Sequence, residues 1–309
     1  MRIIRLAYRD HDRTPVIYCI KAMAERHYGV NVEVLHIEER REFEAALFNQ
    51  SCDAIIEHTE YLHAEAARGR KVTFFCAPQI HRGLQLVVPQ DFTAVDQLRG
   101  KSMAVRDLGR PFAITLWLRK MGLEQDVQTI IVKDKEIGRW QQWRKVASGE
   151  CAACFVAPIY LPPALAAGLK IFPVEEAAIV SNFAQACLSS FAAENPALMK
   201  DYMKAVIHAL ALLIYRREEA LEIAAGEPMG LMKVSDLAEL RRQVDSIAEM
   251  LQVKCYPTAE AIVNSNEIAA HEYGSGVDNP LALWDLHWVK ELDDEGFIDG
   301  LLLQLSPKT

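Results

Sequence analysis

The stretch "IIRLAYRDHDRTPVIYCIKAMAERHYGVNVEVLHI", Ile3 to Ile37, decides the fold class. The run "IIRLAY" has the apolar density of a buried strand, and "VNVEVLHI" reads as a second strand. Between them the spacing predicts a helix from about Thr14 to His27, with Pro15 in the permissive first turn and Gly29 beyond the end. Strands alternating with helices build a largely parallel sheet. Charged or titratable residues crowd the first strand-to-helix junction: Arg9, Asp10, His11, Asp12 and Arg13.

Outward from there the alternation continues. A helix over "RREFEAALFNQ" precedes a short strand, Asp53 to Glu57, and "HTEYLHAEAARG" is a helix ending at Gly69. "KVTFFCA" and "GLQLVVP" are two further strands. Near Pro89 the pattern restarts, with strands in "LRGKSMAVRD", "VQTIIV", "CAACFVA" and "LKIFPV". Helices fall over "RPFAITLWLRKMG", "IGRWQQWRKVASG" and "APIYLPPALAAG". The run "FAQACLSSF" reads as a strand that returns the chain to the first unit. The remainder is helical: Asn195-Pro196 opens a long amphipathic helix, Ser235 caps another, and "NPLALWDLHWVKELDDEGFID" gives a last one. The expected organisation is one lobe of residues 1–88 and 190–309 and a second of 92–182. The crossings fall near 88–92 and 182–190, with a cleft between the lobes.

Composition narrows the functions. Of the 309 residues, 51% are hydrophobic and 25% charged, and the net charge is -8. That balance argues against a general nucleic-acid or anionic-membrane binder. The longest apolar run, Ala205 to Tyr215, is too short to span a bilayer. The seven cysteines are an odd number without scaffold spacing, which fits reduced thiols. With no signal peptide in view, the expected compartment is the cytoplasm, or the periplasm if a leader has been removed. No oligomeric state can be read.

The ordered set "YGVNVEVLHI", "CDAIIEHTEYLHAEAARGRKV", "LRGKSMAVRDLGRPFAITLWLRKMGL", "SGECAACFVAPIYLPPALAAG" and "SSFAAENPALMKDYMKAVIHAL" resembles the type 2 periplasmic-binding-protein fold. The resemblance is to the nitrate/sulfonate/taurine-binding proteins of ABC transporters and to the thiamine-pyrimidine-synthase-like family. It implies an α/β, two-lobed fold with two hinge crossings and C-terminal helices. The synthases themselves are set aside: their histidine and lysine would fall near Tyr61 and Glu57, and no cysteine cluster follows the return strand. The first loop is also similar to that of 4,5-dihydroxyphthalate decarboxylase, matching at Asp12, Arg13 and Thr14 and departing at His11. That family's acidic residue at the end of the third strand is matched by Glu57.

In open α/β sheets, ligands sit beyond the carboxyl ends of strands, at helix N-termini. The candidate ligand-binding residues are therefore Arg9, Asp10, His11, Arg13 and Thr14 in the first loop, and His58 and Thr59 in the next. His81 and Arg82, then Arg106, Gly109 and Arg110, and finally Tyr160 extend the set. Arginine offers a two-pronged grip on a carboxylate, and histidine can move a proton near neutral pH. The bland alternatives are an exposed, self-paired turn for "RDHDR" and an N-cap role for Asp12 or Thr59; Trp140 and Trp143, on one helix, read as core or lobe packing, with stacking on an aromatic ligand as the lesser reading. Cys151 and Cys154 are expected to be reduced and metal-free, on opposite faces of a strand. No cofactor and no metal is expected.

The leading functional expectation is a small-molecule-binding protein closing around a small anionic, possibly aromatic, organic ligand, partnered by an ABC permease if exported. The alternative is a cytoplasmic cofactor-independent decarboxylase using the same cleft, with His11, Glu57 or His58 protonating the developing carbanion. A sensor or interaction module on the same fold is a third reading.

Overall fold

The computed structural model describes residues 2–107, 111–180 and 182–306. In chain order the first elements are β1 (Arg2–Tyr8), α1 (Thr14–His27), β2 (Val30–His36), α2 (Arg40–Ala46), β3 (Ala54–Ile56), α3 (Glu60–Ala67) and β4 (Val72–Cys76). A second group follows: β5 (Gln85–Val88), β6 (Ser102–Arg106), α4 (Pro111–Lys120), β7 (Gln128–Val132), α5 (Asp134–Ile137), α6 (Trp143–Ala147), β8 (Ala153–Val156), α7 (Leu161–Ala166) and β9 (Lys170–Phe172). The chain then returns through β10 (Gln185–Leu188), α8 (Ser189–Glu194), α9 (Pro196–Tyr215), α10 (Arg217–Ala225), α11 (Met229–Met232), α12 (Leu237–Ala248), α13 (Ala259–Tyr273), α14 (His287–Asp294) and α15 (Phe297–Leu305).

These elements form two compact units, residues 1–80 with 180–309 and residues 81–179. Each contains one five-stranded sheet, in the orders β2-β1-β3-β10-β4 and β7-β6-β8-β5-β9. The two sheets follow one plan. In each, the strand in fourth place runs antiparallel to both neighbours and is the first strand after a crossing into the unit. The architecture is a two-unit α/β fold, each unit built on one mixed five-stranded sheet.

The crossings lie at 80/81 and 179/180, rather than near 88–92 and 182–190. The expected boundary misassigned β5, which pairs with β8 and β9 and so belongs to the second unit. An apolar run such as "LQLVV" fits either sheet, and only long-range pairing decides.

In the first unit the core forms where α9 packs on α1. Leu198, Met199, Tyr202, Met203, Val206, Ile207 and Leu210 recur at helical spacing and are all buried. Each large apolar side chain contributes about 1.5–3 kcal/mol by leaving water. The Tyr202 hydroxyl donates to Gln185 Oε1 at 2.7 Å and ties this helix to β10. At the other face of the sheet, Phe43, Leu47, Ile55, Leu62 and Phe74 make a second cluster.

Local expectations needed correction in several places. Trp140 and Trp143 do not share a helix: α5 stops at Ile137, Gly138 has φ 95°, and Trp140 itself sits in the left-handed region at φ 60°. The last helix is two, α14 and α15, broken at Gly296 with φ 73°. Asp236, not Ser235, caps α12, accepting from the Glu239 amide, while Ser235 donates to the Glu239 carboxylate. Cys151 precedes β8 and shares one apolar cluster with Cys154, so the opposite-face argument does not apply to it. All seven thiols are buried and unbridged. Among the described residues, no helix is long and apolar enough to cross a membrane.

Candidate functional site

Beyond Tyr8, the end of β1, the chain makes one 3-10 turn, His11–Arg13, and runs directly into α1. The Arg13 amide donates to the Asp10 carbonyl at 3.1 Å, closing the turn. This tight geometry points the amides of Arg9 and Asp10 at the end of β3, where they donate to Glu57 Oε2 at 3.3 and 3.1 Å. The His58 amide donates to Glu57 Oε1 at 3.0 Å. Glu57 is thus the knot between the β1–α1 and β3–α3 loops.

Arg13 answers that carboxylate. Its Nη2 lies 2.5 Å from Glu57 Oε1, and its Nη1 3.0 Å from Asp10 Oδ2. Its Nε donates to the Asn182 carbonyl at 2.6 Å, and Nη2 also reaches Asn182 Oδ1 at 3.3 Å. Both charges are almost fully removed from water, with 3% and 2% of the side chains exposed. Burial pushes the Glu57 carboxyl up from its ordinary value, against the pull of the adjacent Arg13 guanidinium. Arg13, a ligand-binding candidate by sequence and part of an exposed turn only in the bland alternative, is buried: a buried carboxylate requires a cation, and Arg13 serves it.

The other first-loop residues have separate surroundings. Arg9 reaches Asp10 at 3.3 Å and stays partly exposed. Thr14 is buried and donates to the Tyr8 hydroxyl at 3.2 Å. His11 Nδ1 lies 2.6 Å from the Leu231 carbonyl, and its Nε2 2.9 Å from Glu38 Oε1. Thr59 occupies the N-cap position of α3 without capping it; its hydroxyl is buried and has no hydrogen-bond partner among the described residues. His58 lies beside it, with one carboxylate oxygen each of Asp10 and Glu57 and one nitrogen of His58 within 4.8 Å of one another.

In the second unit, Arg106 at the end of β6 is paired with Asp134, its Nε donating to both carboxylate oxygens at 2.7 and 2.6 Å. Asp107 accepts from the Asp134 amide. The Arg106 guanidinium also lies over the Trp140 ring, 4.6 Å from its centroid, and Trp140 stacks on Tyr160 at 6.0 Å. Arg106 and Tyr160 are thus joined by an aromatic side chain that the sequence reading weighed for packing first and for ligand stacking second. His81 is exposed. Arg82 stands near Glu176, whose carboxyl accepts from the amides of Leu84, Arg82 and Gly83 and is pushed up chiefly by burial. Gly109 and Arg110 lie outside the described residues.

The structure brings Arg9, Asp10, Arg13, Glu57, His58 and Thr59 together at the carboxyl ends of β1 and β3. Sequence reading missed Asn182, His36 and Glu38 there, and Asp134 in the second unit. Asn182 sits 169 residues from Arg13, beyond any local pattern.

No protein-family model matches the chain. No curated protein matches it by sequence. Solved structures do resemble it. A protein of Methylobacillus flagellatus KT described as the periplasmic sulfonate-binding protein SsuA aligns with 16% identity and TM-score 0.70 over 97% of this chain and 96% of its own. The periplasmic aliphatic sulphonate binding protein SsuA from Escherichia coli aligns with 16% identity and TM-score 0.62, over 89% and 92% of the two chains. The Candida albicans CA3427 gene product, described as having the generic periplasmic binding protein fold, aligns with 14% identity and TM-score 0.54, over 95% of each. The chain therefore has the periplasmic-binding-protein fold.

Proposed function

We propose that the chain is a small-molecule-binding protein of the ABC-transporter substrate-binding kind, taking a small anionic organic ligand such as a sulfonate or carboxylate. The observation that carries this reading is the whole-chain likeness to a sulfonate-binding SsuA protein, covering 97% of one chain and 96% of the other. Local chemistry supports it. Arg9 is a partly exposed cation in the β1–α1 loop, and the unpartnered Thr59 hydroxyl sits at the start of α3, where helix amides favour an anion. Arg82 and Arg110 are the corresponding candidates in the second unit. An ABC permease is the partner in this reading, and the protein then works outside the cytoplasm; fractionation of the native cells tests that part.

The decarboxylase reading finds less to work with. Both Glu57 oxygens are held by Arg13 and three backbone amides, and both His11 nitrogens face acceptors from the protein. Isothermal titration with alkanesulfonates, arylsulfonates and the matching carboxylates is the direct test. Saturable binding of one anion class, weakened about tenfold or more by Arg9→Ala, is expected, since a charge-assisted contact is worth about 1.5–3 kcal/mol. No heat and no thermal shift with any of these anions would sink the proposal, and carbon dioxide release from a carboxylate would turn it toward a lyase.

A further inference from the structure

His36 ends β2 and Glu38 follows it, while His11 opens the 3-10 turn after β1. One nitrogen of each histidine and one Glu38 carboxylate oxygen lie within 4.8 Å of one another. The two imidazoles are packed with their centroids 4.4 Å apart, and Tyr8 lies against His36 with its ring centroid 4.7 Å away. Residues 25 positions apart in the chain meet because β1 and β2 are neighbours in parallel register, with Tyr8 opposite His36.

Hydrogen bonds assign the protons. His11 Nδ1 lies 2.6 Å from the Leu231 carbonyl oxygen, and His36 Nε2 lies 2.9 Å from the Arg9 carbonyl oxygen. A carbonyl only accepts, so each of these nitrogens carries the hydrogen. In the neutral rings the lone pairs then fall on His11 Nε2 and His36 Nδ1. His11 Nε2 faces Glu38 Oε1 at 2.9 Å. A lone pair set against a carboxylate is repulsive unless a cation joins them. A proton on His11 would satisfy that one contact. It would leave the second imidazole, also oriented by a backbone carbonyl, without a use.

We propose that His11, His36 and Glu38 bind a divalent transition-metal ion of the zinc class. Two imidazoles and a carboxylate are the donors such ions take, and the Leu231 and Arg9 carbonyls supply the outer contacts that set ring tautomer and orientation. With three protein ligands, a fourth position is left for water or an anion. Lys233 Nζ, 3.4 Å from the same Glu38 oxygen, competes for that carboxylate. Both side chains are about two-thirds exposed, at 63% and 66%, so the lysine is free to swing away. The neighbouring trio of Asp10, Glu57 and His58 is different, because the buried Arg13 guanidinium already balances its carboxylates.

The site is independent of the anion-binding reading, and its test uses metal alone. Chelator-treated protein is titrated calorimetrically with zinc chloride, nickel chloride and magnesium chloride. Zinc and nickel should bind at one ion per chain, and magnesium should give no comparable binding, since it prefers oxygen ligands. Glu38→Gln and His36→Gln should each weaken zinc binding about tenfold or more. His287→Gln, at a histidine paired with Asp285 elsewhere on the surface, should leave it unchanged. Circular dichroism checks that the variants are folded, and the exposed Glu38 position decides if His36→Gln is not. Absence of stoichiometric zinc binding, or binding undiminished in Glu38→Gln, or binding lost in His287→Gln, would overturn the assignment.

Discussion

Arg13 and Glu57 hold each other out of water at 2.5 Å, and Arg13 also reaches the partly exposed Asp10 carboxylate at 3.0 Å. Truncating one member of such a pair leaves the other charge buried, at a cost of about 3–5 kcal/mol. Arg13→Ala should therefore destabilise the protein by about that amount in urea unfolding, far beyond the ~1 kcal/mol of an exposed loop charge. The double variant Arg13→Met/Glu57→Leu should lose markedly less than the sum of Arg13→Met and Glu57→Leu, because it removes both charges together. Strictly additive losses would mean that the two side chains do not act as a pair. The position of "RDHDR" after a strand was legible from its charge and from Pro15. The inward orientation of Arg13 was not, because it depends on Glu57 and Asn182, 44 and 169 residues away.

At the scale of elements, α3 carries a titration that shapes acid stability. His63 is fully buried on it, stacked on Phe74 at 4.9 Å, with Trp284 stacked on Phe74 in turn at 5.0 Å. Burial pushes His63 down to about 4. The unfolded chain protonates this ring near the ordinary 6.5, so between about pH 6.5 and about pH 4 it binds a proton that the folded chain does not. Stability is then full above the unfolded value and falls as pH falls through that window, by about 3 kcal/mol from this residue at 1.36 kcal/mol per unit. His208, also pushed down to about 4 by burial, adds in the same direction, by less because it is only half-buried. Urea unfolding at about pH 7 and about pH 4.5 should show His63→Phe losing less stability on acidification than the parent protein. An identical loss in both would assign the acid sensitivity elsewhere. Helical periodicity made α1 and α9 legible, since Leu198 to Leu210 mark one face without ambiguity. The break between α5 and α6 was hidden, because "IGRWQQWRKVASG" keeps helical composition across a turn that Gly138 and Trp140 make with positive φ.

Across the whole molecule, the two units differ in continuity. All five strands of the second sheet come from residues 81–179, whereas the first sheet needs β10, from beyond that segment, between β3 and β4. Residues 81–179 expressed alone should give a cooperative urea transition and a mixed helix–strand circular dichroism spectrum. Residues 1–80 alone should not, because β4 pairs only with β10 among the described strands and the α9 side of the core is missing. A cooperative transition in the shorter fragment would contradict this account of how the first unit holds together. Strand-helix alternation foretold two α/β units, because periods of two and three-and-a-half residues are local properties. Which sheet β5 joined was beyond it, because strand order is decided by pairing over long distances in the chain.

The antiparallel insertion of β10 also sets a timetable for biosynthesis. Gln185–Leu188 leave the ribosome only after the whole second unit has been made. At about 5–20 residues per second, roughly a hundred residues take about 5–20 s. Throughout that interval β3 and β4 each present an unpaired edge, and the apolar faces of β1 and α1 have no α9 to cover them. The second unit, contiguous in sequence, is the first to complete its sheet, and the nascent chain must keep the exposed first half from pairing with other chains until the return strand arrives.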